Sequence, residues 1–307
     1  MTPPDPVPVL AQGAHLSPDL QVVTHLSRGK ALDVYDAWSF SRACRVVAKT
    51  LRPDRATEPH LRRRLLREGR LLRHLTHPHT VRAYDVLTEP APVVVLETLT
   101  GATLSALIDE RRWRHLPVRQ VALLGVQLAS ALRYLHANKV VHCDLKPGNV
   151  IAEAGRAKVI DLSLARRPGR GRQGAGTRDY MAPEQARGEW ISTATDVWGL
   201  GATLYDAATS YQPFDSQAEI EAGRDRYPQA RMAAPPVRSH RRRLPDAFAD
   251  LIDACLRADP AARPTLEEVT AVLAPLTRVD RRAPASNARR IGWVRPGSVV
   301  VRQERQL

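Results

Sequence analysis

The chain has 307 residues, of which 43% are hydrophobic and 25% charged, a length and composition that exclude a disordered chain and allow one large domain or two lobes with a sizeable core. Lys and Arg number 46 against 32 Asp and Glu, a net charge of +14, which favours phosphates, acidic protein segments or nucleic acid as partners. The three cysteines, Cys44, Cys143 and Cys255, are widely spaced; they exclude a disulfide framework and a CxxC zinc site and suit a reducing compartment.

In chain order, residues 1–19 are proline-rich and are expected to form a flexible, extended segment, with structure beginning near Leu20. They hold no basic region followed by an apolar run, so no signal peptide is expected. Runs of β type fill Val22 to Thr50 and end in Arg45-Val46-Val47-Ala48-Lys49. From Leu61 to Leu75 the period lengthens: Leu61, Leu65, Leu66, Leu72 and Leu75 share a face, as in an amphipathic helix, which Pro78 is expected to end. Strands are predicted at Val81 to Leu87 and Val93 to Glu97, before a linker-like Thr100-Gly101 step.

Beyond Gly101 the pattern is mainly helical, over Leu104 to Glu110, Val118 to Ala137, Ala194 to Thr209, Ala247 to Leu256 and Leu266 to Leu273. A polar loop from His142 to Asn149 and short β-type runs at Val150 to Ala152 and Lys158 to Ile160 interrupt it. Residues 276–307 read as a basic tail, with Val299, Val300 and Val301 as a candidate strand. No stretch reaches the roughly 18 apolar residues of a membrane span, so a cytoplasmic location is expected.

The most informative segment is His142-Cys143-Asp144-Leu145-Lys146-Pro147-Gly148-Asn149, followed by Asp161-Leu162-Ser163 and Ala182-Pro183-Glu184. On these segments the chain resembles a eukaryotic-like (Hanks-type) protein serine/threonine kinase of the bacterial type, from about Leu20 to Pro275. The resemblance implies an α+β, bilobal protein kinase fold. A small β-rich N-lobe with one main helix is expected over 20–99, and a larger, mostly helical C-lobe over 100–275. It further implies ATP and Mg²⁺, with Mn²⁺ as the alternative ion, and a protein substrate.

Phosphoryl transfer needs cations on the triphosphate, oxygen ligands for a metal and a proton acceptor. By resemblance, Asp144 is the catalytic base, Lys146 contacts the transferred group, and Asn149 and Asp161 hold the metal. Lys49 holds the α- and β-phosphates with Glu68 as its ion-pair partner, and Thr177 holds the substrate hydroxyl near the base. Val34 and Ala48 cover one face of adenine, with Ile151 beneath it. Glu97 and Leu99 supply hinge backbone, Leu96 guards the pocket behind, and Gly29 remains from the phosphate-binding loop. Glu184 is expected to pair with Arg263, and Asp196 to support the catalytic loop, while His142 and Leu162 only pack. The residues alone also admit plainer roles: loop aspartates as turn caps, and Val34, Ala48 and Ile151 as sheet core.

Several positions depart from the family pattern. The loop that reads G-x-G-x-x-G elsewhere has Ser27, Gly29 and Leu32 here, so it lacks two residues that let backbone N–H groups approach phosphates. Leu162 and Ser163 follow Asp161 where Phe and Gly are usual, and Cys143 replaces the arginine of the catalytic loop. Residues 164–176 contain no Ser, Thr or Tyr, so no activation-segment phosphorylation is expected. Gly148, together with Arg166, Arg167, Arg170 and Arg172, predicts a preference for acidic substrate surroundings. Two readings follow: an active protein serine/threonine kinase, or a pseudokinase that binds nucleotide or partners. The segment from Thr177 to Glu184 disfavours a small-molecule phosphotransferase, and no nucleic-acid recognition motif is present.

Overall fold

The period-2 alternation of the first hundred residues folds into one antiparallel sheet in the computed structural model, which describes residues 7–111, 115–221, 223 and 226–278. The strands are β1 (His15–Ser17), β2 (Leu20–Arg28), β3 (Leu32–Ser39), β4 (Cys44–Leu51), β5 (Ala83–Leu87) and β6 (Val93–Glu97), in the order β1-β2-β3-β4-β6-β5. Because side chains alternate across a strand, Tyr35, Ala37, Val46, Ala48, Val93 and Val95 collect on one face with Leu20 and Val22 as a core. Helix α1 (Pro59–His74) buries Leu61, Leu65, Leu66 and Leu72, and carries Glu68 inward with them. It starts two residues before the predicted Leu61, because Pro59 suits the first helical turn, where its missing N–H is not needed. It ends well before Pro78, since Leu75 is already extended at ψ 97°.

The expectation that residues 1–19 are flexible is corrected from residue 7 onward. Strand β1 pairs with β2, Gly13 N–H donates to Val22 O at 2.9 Å, and Leu16 is buried in the sheet core. Proline is concentrated before Val9, and the apolar residues that follow cover a sheet edge that would otherwise be unpaired. Residues 1–6 lie outside the described residues.

The described chain divides into two compact units, 7–77 with 81–100 and 78–80 with 101–278. In the second, β7 (Ala102–Thr103) leads into α2 (Leu104–Glu110) and α3 (Val118–Ala137). Strands β8 (Val150–Glu153) and β9 (Arg156–Val159) pair with β7 in the order β7-β8-β9. Then come β10 (Gly169–Arg170), α4 (Pro183–Arg187), β11 (Trp190–Ile191), α5 (Thr193–Thr209), α6 (Ser216–Glu221), α7 (Asp246–Cys255) and α8 (Leu266–Leu276). Val121, Leu124, Leu128, Leu132 and Leu135 recur at helical spacing along α3 and are buried, and α3 packs on α5 and α8. The elements α4, α6, β10 and β11 were not predicted; at two to six residues each they are too short to show a period. Of the expected basic tail, Leu276 belongs to α8. Everything beyond Arg278, including Val299 to Val301, lies outside the described residues.

The linker-like Gly101 has a steric reason. A Cβ there would lie 2.1 Å from the carbonyl oxygen of Ala152 and 2.7 Å from its carbon, backbone atoms held in register opposite Ala102. Gly101→Ala must therefore break the β7–β8 pairing. We expect it to cost about 1–3 kcal/mol and to lower the melting temperature by roughly 2–10 °C, measured by thermal unfolding. An unchanged melting temperature would show that the approach is looser than this.

Candidate active site

In the first unit, Lys49 stands on β4 opposite Val34 of β3 and Val94 of β6. Its Nζ donates to Glu68 Oε1 at 2.7 Å, and the residues are only 8% and 1% exposed. Strand alternation puts Lys49 on the face that α1 covers and the Leu side chains of α1 bring Glu68 to it. The same alternation corrects one predicted residue. Ala48 is opposite Tyr35 and Val95 in the sheet core, on the other face from Val34 and Lys49, so it does not cover a ligand together with Val34. Val47, two residues before Lys49, shares that face with Val34, Lys49 and its own partner Leu96. Counting back by two from the lysine was the signal that would have found it. Glu97 closes β6, with its N–H on Arg82 O at 3.0 Å and its Oε1 accepting Arg82 N–H at 2.8 Å. Leu99 is half-buried just beyond it, and Gly29 is exposed in the β2–β3 turn.

In the second unit the polar loop after α3 brings three of the predicted residues together. Asp144 Oδ1 accepts from Thr177 N–H at 2.9 Å and from Thr177 Oγ1 at 2.8 Å. Asn149 Nδ2 donates to Asp144 O at 2.8 Å and to Asp144 Oδ2 at 3.2 Å. The tight 3₁₀ turn at Pro147–Asn149 is what returns Asn149 to Asp144. Ile160 N–H then donates to Asn149 O at 3.0 Å, which sets Asp161 next in the chain, with its Oδ1 accepting Ser163 N–H at 2.7 Å. Lys146 is half-buried in extended backbone. Ile151 lies on β8 opposite Thr103 and is half-buried.

The supporting residues meet as expected. Asp196 accepts the main-chain N–H groups of His142 at 2.8 Å and Cys143 at 2.9 Å. Glu184 makes a two-pronged pair with Arg263, both bonds 2.8 Å. Leu162 and His142 are buried, and His142 Nδ1 accepts the Asp144 N–H at 3.1 Å. Two features had no sequence signal. Cys143 has φ +68°, a region costly for any residue with a Cβ. Gln185 Nε2 bridges Cys143 O at 2.7 Å and Ala175 O at 2.9 Å.

The family model described as protein kinase domain matches residues 20–272. Among curated proteins, a probable serine/threonine-protein kinase of Streptomyces coelicolor is 35% identical over 64% of this chain and 31% of its own. Serine/threonine-protein kinase PkaA of the same organism is 34% identical over 73% of this chain and 41% of its own. PknB of Mycobacterium leprae is 31% identical over 67% and 35%. This chain thus spans only about a third of the length of the curated relatives it matches. The PknI kinase domain of Mycobacterium tuberculosis superposes with a TM-score of 0.69 at 22% identity, over 87% of this chain and 100% of that one, a likeness of fold.

Near Thr177 the Tyr180 hydroxyl donates to Asp206 Oδ2 at 2.5 Å. Burial pushes the Asp206 carboxyl from 3.8 up to about 6; the Tyr180 bond opposes the rise and the charge of Asp109 adds to it. Since the folded value lies above the unfolded one, the protonated form is favoured by folding, and that stability is lost as pH rises through about 6. Asp206→Asn keeps an acceptor for Tyr180 and buries no charge. It should gain stability relative to the unaltered protein between about pH 4 and about pH 7, by at most about 3 kcal/mol. Urea unfolding of both proteins across that range measures the difference; a pH-independent difference would contradict it.

Proposed function

Since this chain belongs to the protein kinase family, we propose that it transfers the γ-phosphoryl group of ATP to a Ser or Thr hydroxyl of a protein substrate. The observation that carries the proposal is Asp144, whose carboxylate is held by Thr177 and Asn149 with Oδ1 and Oδ2 both engaged. A carboxylate fixed this way is ready to accept the proton of an incoming hydroxyl, and Thr177 is at hand to orient that hydroxyl. Lys146 and Lys49 each offer a positive charge suited to phosphate, the latter held by its pair with Glu68.

The donor set fits a hard divalent cation. Asn149 spends its Nδ2 on Asp144, so its amide presents oxygen, and Asp161 adds a carboxylate oriented by Ser163. Oxygen donors of this kind suit Mg²⁺, or Mn²⁺, which when bound neutralises phosphate charge. On the first unit, Val34, Val47 and Leu96 form an apolar face beside Lys49, the kind of surface that receives a purine, with the backbone of Glu97 and Leu99 following Leu96.

The finer reading is of an enzyme with an arginine-less catalytic loop and a phosphate lid reduced to Gly29. Exposed Arg167, Arg170 and Arg172 support a substrate with acidic surroundings. Cys44, Cys143 and Cys255 are thiols rather than disulfides, which supports a cytoplasmic setting. No described helix is long and apolar enough to cross a membrane. A pseudokinase is the second reading, favoured by the loss of two lid glycines.

Transfer of phosphate to acid-rich and arginine-rich peptides, read by intact mass, tests the proposal. The unaltered protein should modify acid-rich peptides faster, and Asp144→Ala should lower kcat by about 10²–10⁴-fold. Equal, background-level transfer by both proteins would favour the pseudokinase. Lys49→Met should also abolish transfer, but removing the ammonium from a buried carboxylate costs about 3 kcal/mol as well, so Asp144→Ala is the cleaner variant. Phosphatase treatment of the purified protein should leave its activity unchanged, because 164–176 offers no hydroxyl to phosphorylate and a phosphate on Thr177 would repel Asp144. A large loss of activity, traced by mass spectrometry to a phosphate between Asp161 and Glu184, would overturn that expectation.

A further inference from the structure

The β2–β3 turn, where the lid glycines are missing, rests on an unusual amount of buried charge. Asp33, directly after the turn, has no solvent exposure. Arg28, directly before it, donates Nε and Nη2 to the two Asp33 oxygens at 2.7 and 2.8 Å. His25 Nε2 lies 3.3 Å from Asp33 Oδ1, and the Tyr35 hydroxyl donates to Oδ2 at 3.4 Å. Burial alone would raise the Asp33 carboxyl, but the Arg28 bonds and charge, with His25, outweigh it and hold it below the usual carboxylate range. A buried carboxylate with these partners leaves the guanidinium almost no rotational freedom.

That constraint fixes the third nitrogen of Arg28. Its Nη1 donates to Val7 O at 2.5 Å, and Leu10 N–H donates to the Tyr35 hydroxyl at 3.1 Å. The segment ahead of β1 is therefore strapped to both ends of the Asp33 cluster. The tip of the turn is held as well. Gly29 N–H donates to Leu32 O at 2.8 Å, Arg52 N–H to Ala31 O at 3.0 Å, and Arg52 Nη1 to Gly29 O at 3.3 Å. Gly29 has no positive φ, and a Cβ on it would meet only Leu32 O, at 3.6 Å. The turn does not use the conformational freedom of glycine, so its shape must come from what braces it.

We propose that Arg28 and Asp33 are positioning residues that lock the β2–β3 turn to the N-terminal strap of residues 7–17, so that the strap sets the turn's closure on nucleotide. The coupling of strap and turn stands on the contacts themselves; only the consequence for nucleotide rests on the kinase reading. A lysine at position 28 keeps the charge beside Asp33 but cannot bond both carboxylate oxygens and Val7 O at once.

The test is amide hydrogen exchange of the full chain without nucleotide, together with ATP·Mg²⁺ affinity by calorimetry and steady-state kinetics. In Arg28→Lys, exchange at residues 9–12 and 29–31 should rise together, by about tenfold. The dissociation constant and KM for ATP should rise about fivefold through lost preorganisation, with kcat changed less than about twofold. Tyr35→Phe keeps the buried ring and the Arg28–Asp33 pair and removes only the hydroxyl that joins Leu10 to Asp33; it should move both segments in the same direction by less, which guards against an Arg28 variant that merely folds poorly. Faster exchange in the strap without the turn, in either variant, overturns the proposal. So does an unchanged ATP dissociation constant in Arg28→Lys when the unaltered protein binds ATP. An unaltered protein that binds no ATP refutes the kinase reading and the nucleotide half of the proposal together, and the exchange comparison then decides the brace.

Discussion

The carboxylate of Asp196, buried in the first turn of α5, accepts the main-chain N–H groups of His142 and Cys143 and meets His136 Nε2 of α3 at 2.7 Å. Taking such an ion out of water costs several kcal/mol, and three bonds of charge-assisted length are what offset it. They hold Cys143 at φ +68°, a conformation costing about 1–2 kcal/mol for a residue with a Cβ. Gln185 secures the other side through Cys143 O. The reversal at Cys143 lets the Asp144 N–H return to His142 Nδ1, which leaves the Asp144 carboxylate to Thr177 and Asn149.

A buried ion pair meets the same turn of α5. Thr195 Oγ1 donates to Glu184 Oε1 at 2.9 Å, and Glu184 also holds Arg263, whose guanidinium lies 5.1 Å from the ring centre of Trp198. Arg263 further donates to the carbonyls of Ala194, Arg257 and Ala258. Fully bonded ions of this kind add little net stability over an apolar core, but a shifted register would strand a charge. Thr195, Asp196 and Trp198 therefore fix how α4, α5 and the loop after α3 fit together within the second unit. In the first unit Lys49–Glu68 has the same character, joining β4 to α1.

Long periodic segments were legible in the sequence. The bounds of α3 and β6 were predicted to the residue, because twenty residues of helical period and an unbroken run of three valines and a leucine leave little competition. Lys49–Glu68 and Asp144–Asn149 were legible through the resemblance to the kinase family rather than through spacing alone. What composition hid was β1, since prolines before Val9 coloured the whole segment. The misplacement of Ala48 has a different cause: a motif was aligned by residue type while the alternation of β4, which decides the face, was not applied to it. Tyr180–Asp206 and Gln185 join residues 26 and 42 positions apart, and no local pattern announces such a meeting.

The segment between Asp161 and Glu184 shows how one constraint can be met by a different chemistry. Arg166 exchanges main-chain bonds with Val141 at 2.9 and 2.7 Å, and β10 pairs with β11. Gly171 N–H donates to Glu189 O at 2.7 Å, Gly174 N–H to Gln185 O at 2.9 Å, and Gln185 returns a bond to Ala175 O before Thr177 reaches Asp144. Neutral bonds of this sort contribute about 0.5–1.5 kcal/mol each, and a series of them matches the one to three charge-assisted bonds that a phosphate facing an arginine brings. Cys143 has no guanidinium to offer, and it takes part through its N–H and carbonyl instead. Arg166 also spends its side chain on the segment's own backbone, with Nη2 on Arg170 O at 2.8 Å. Order in the segment is thus written into main-chain geometry and one buried glutamine.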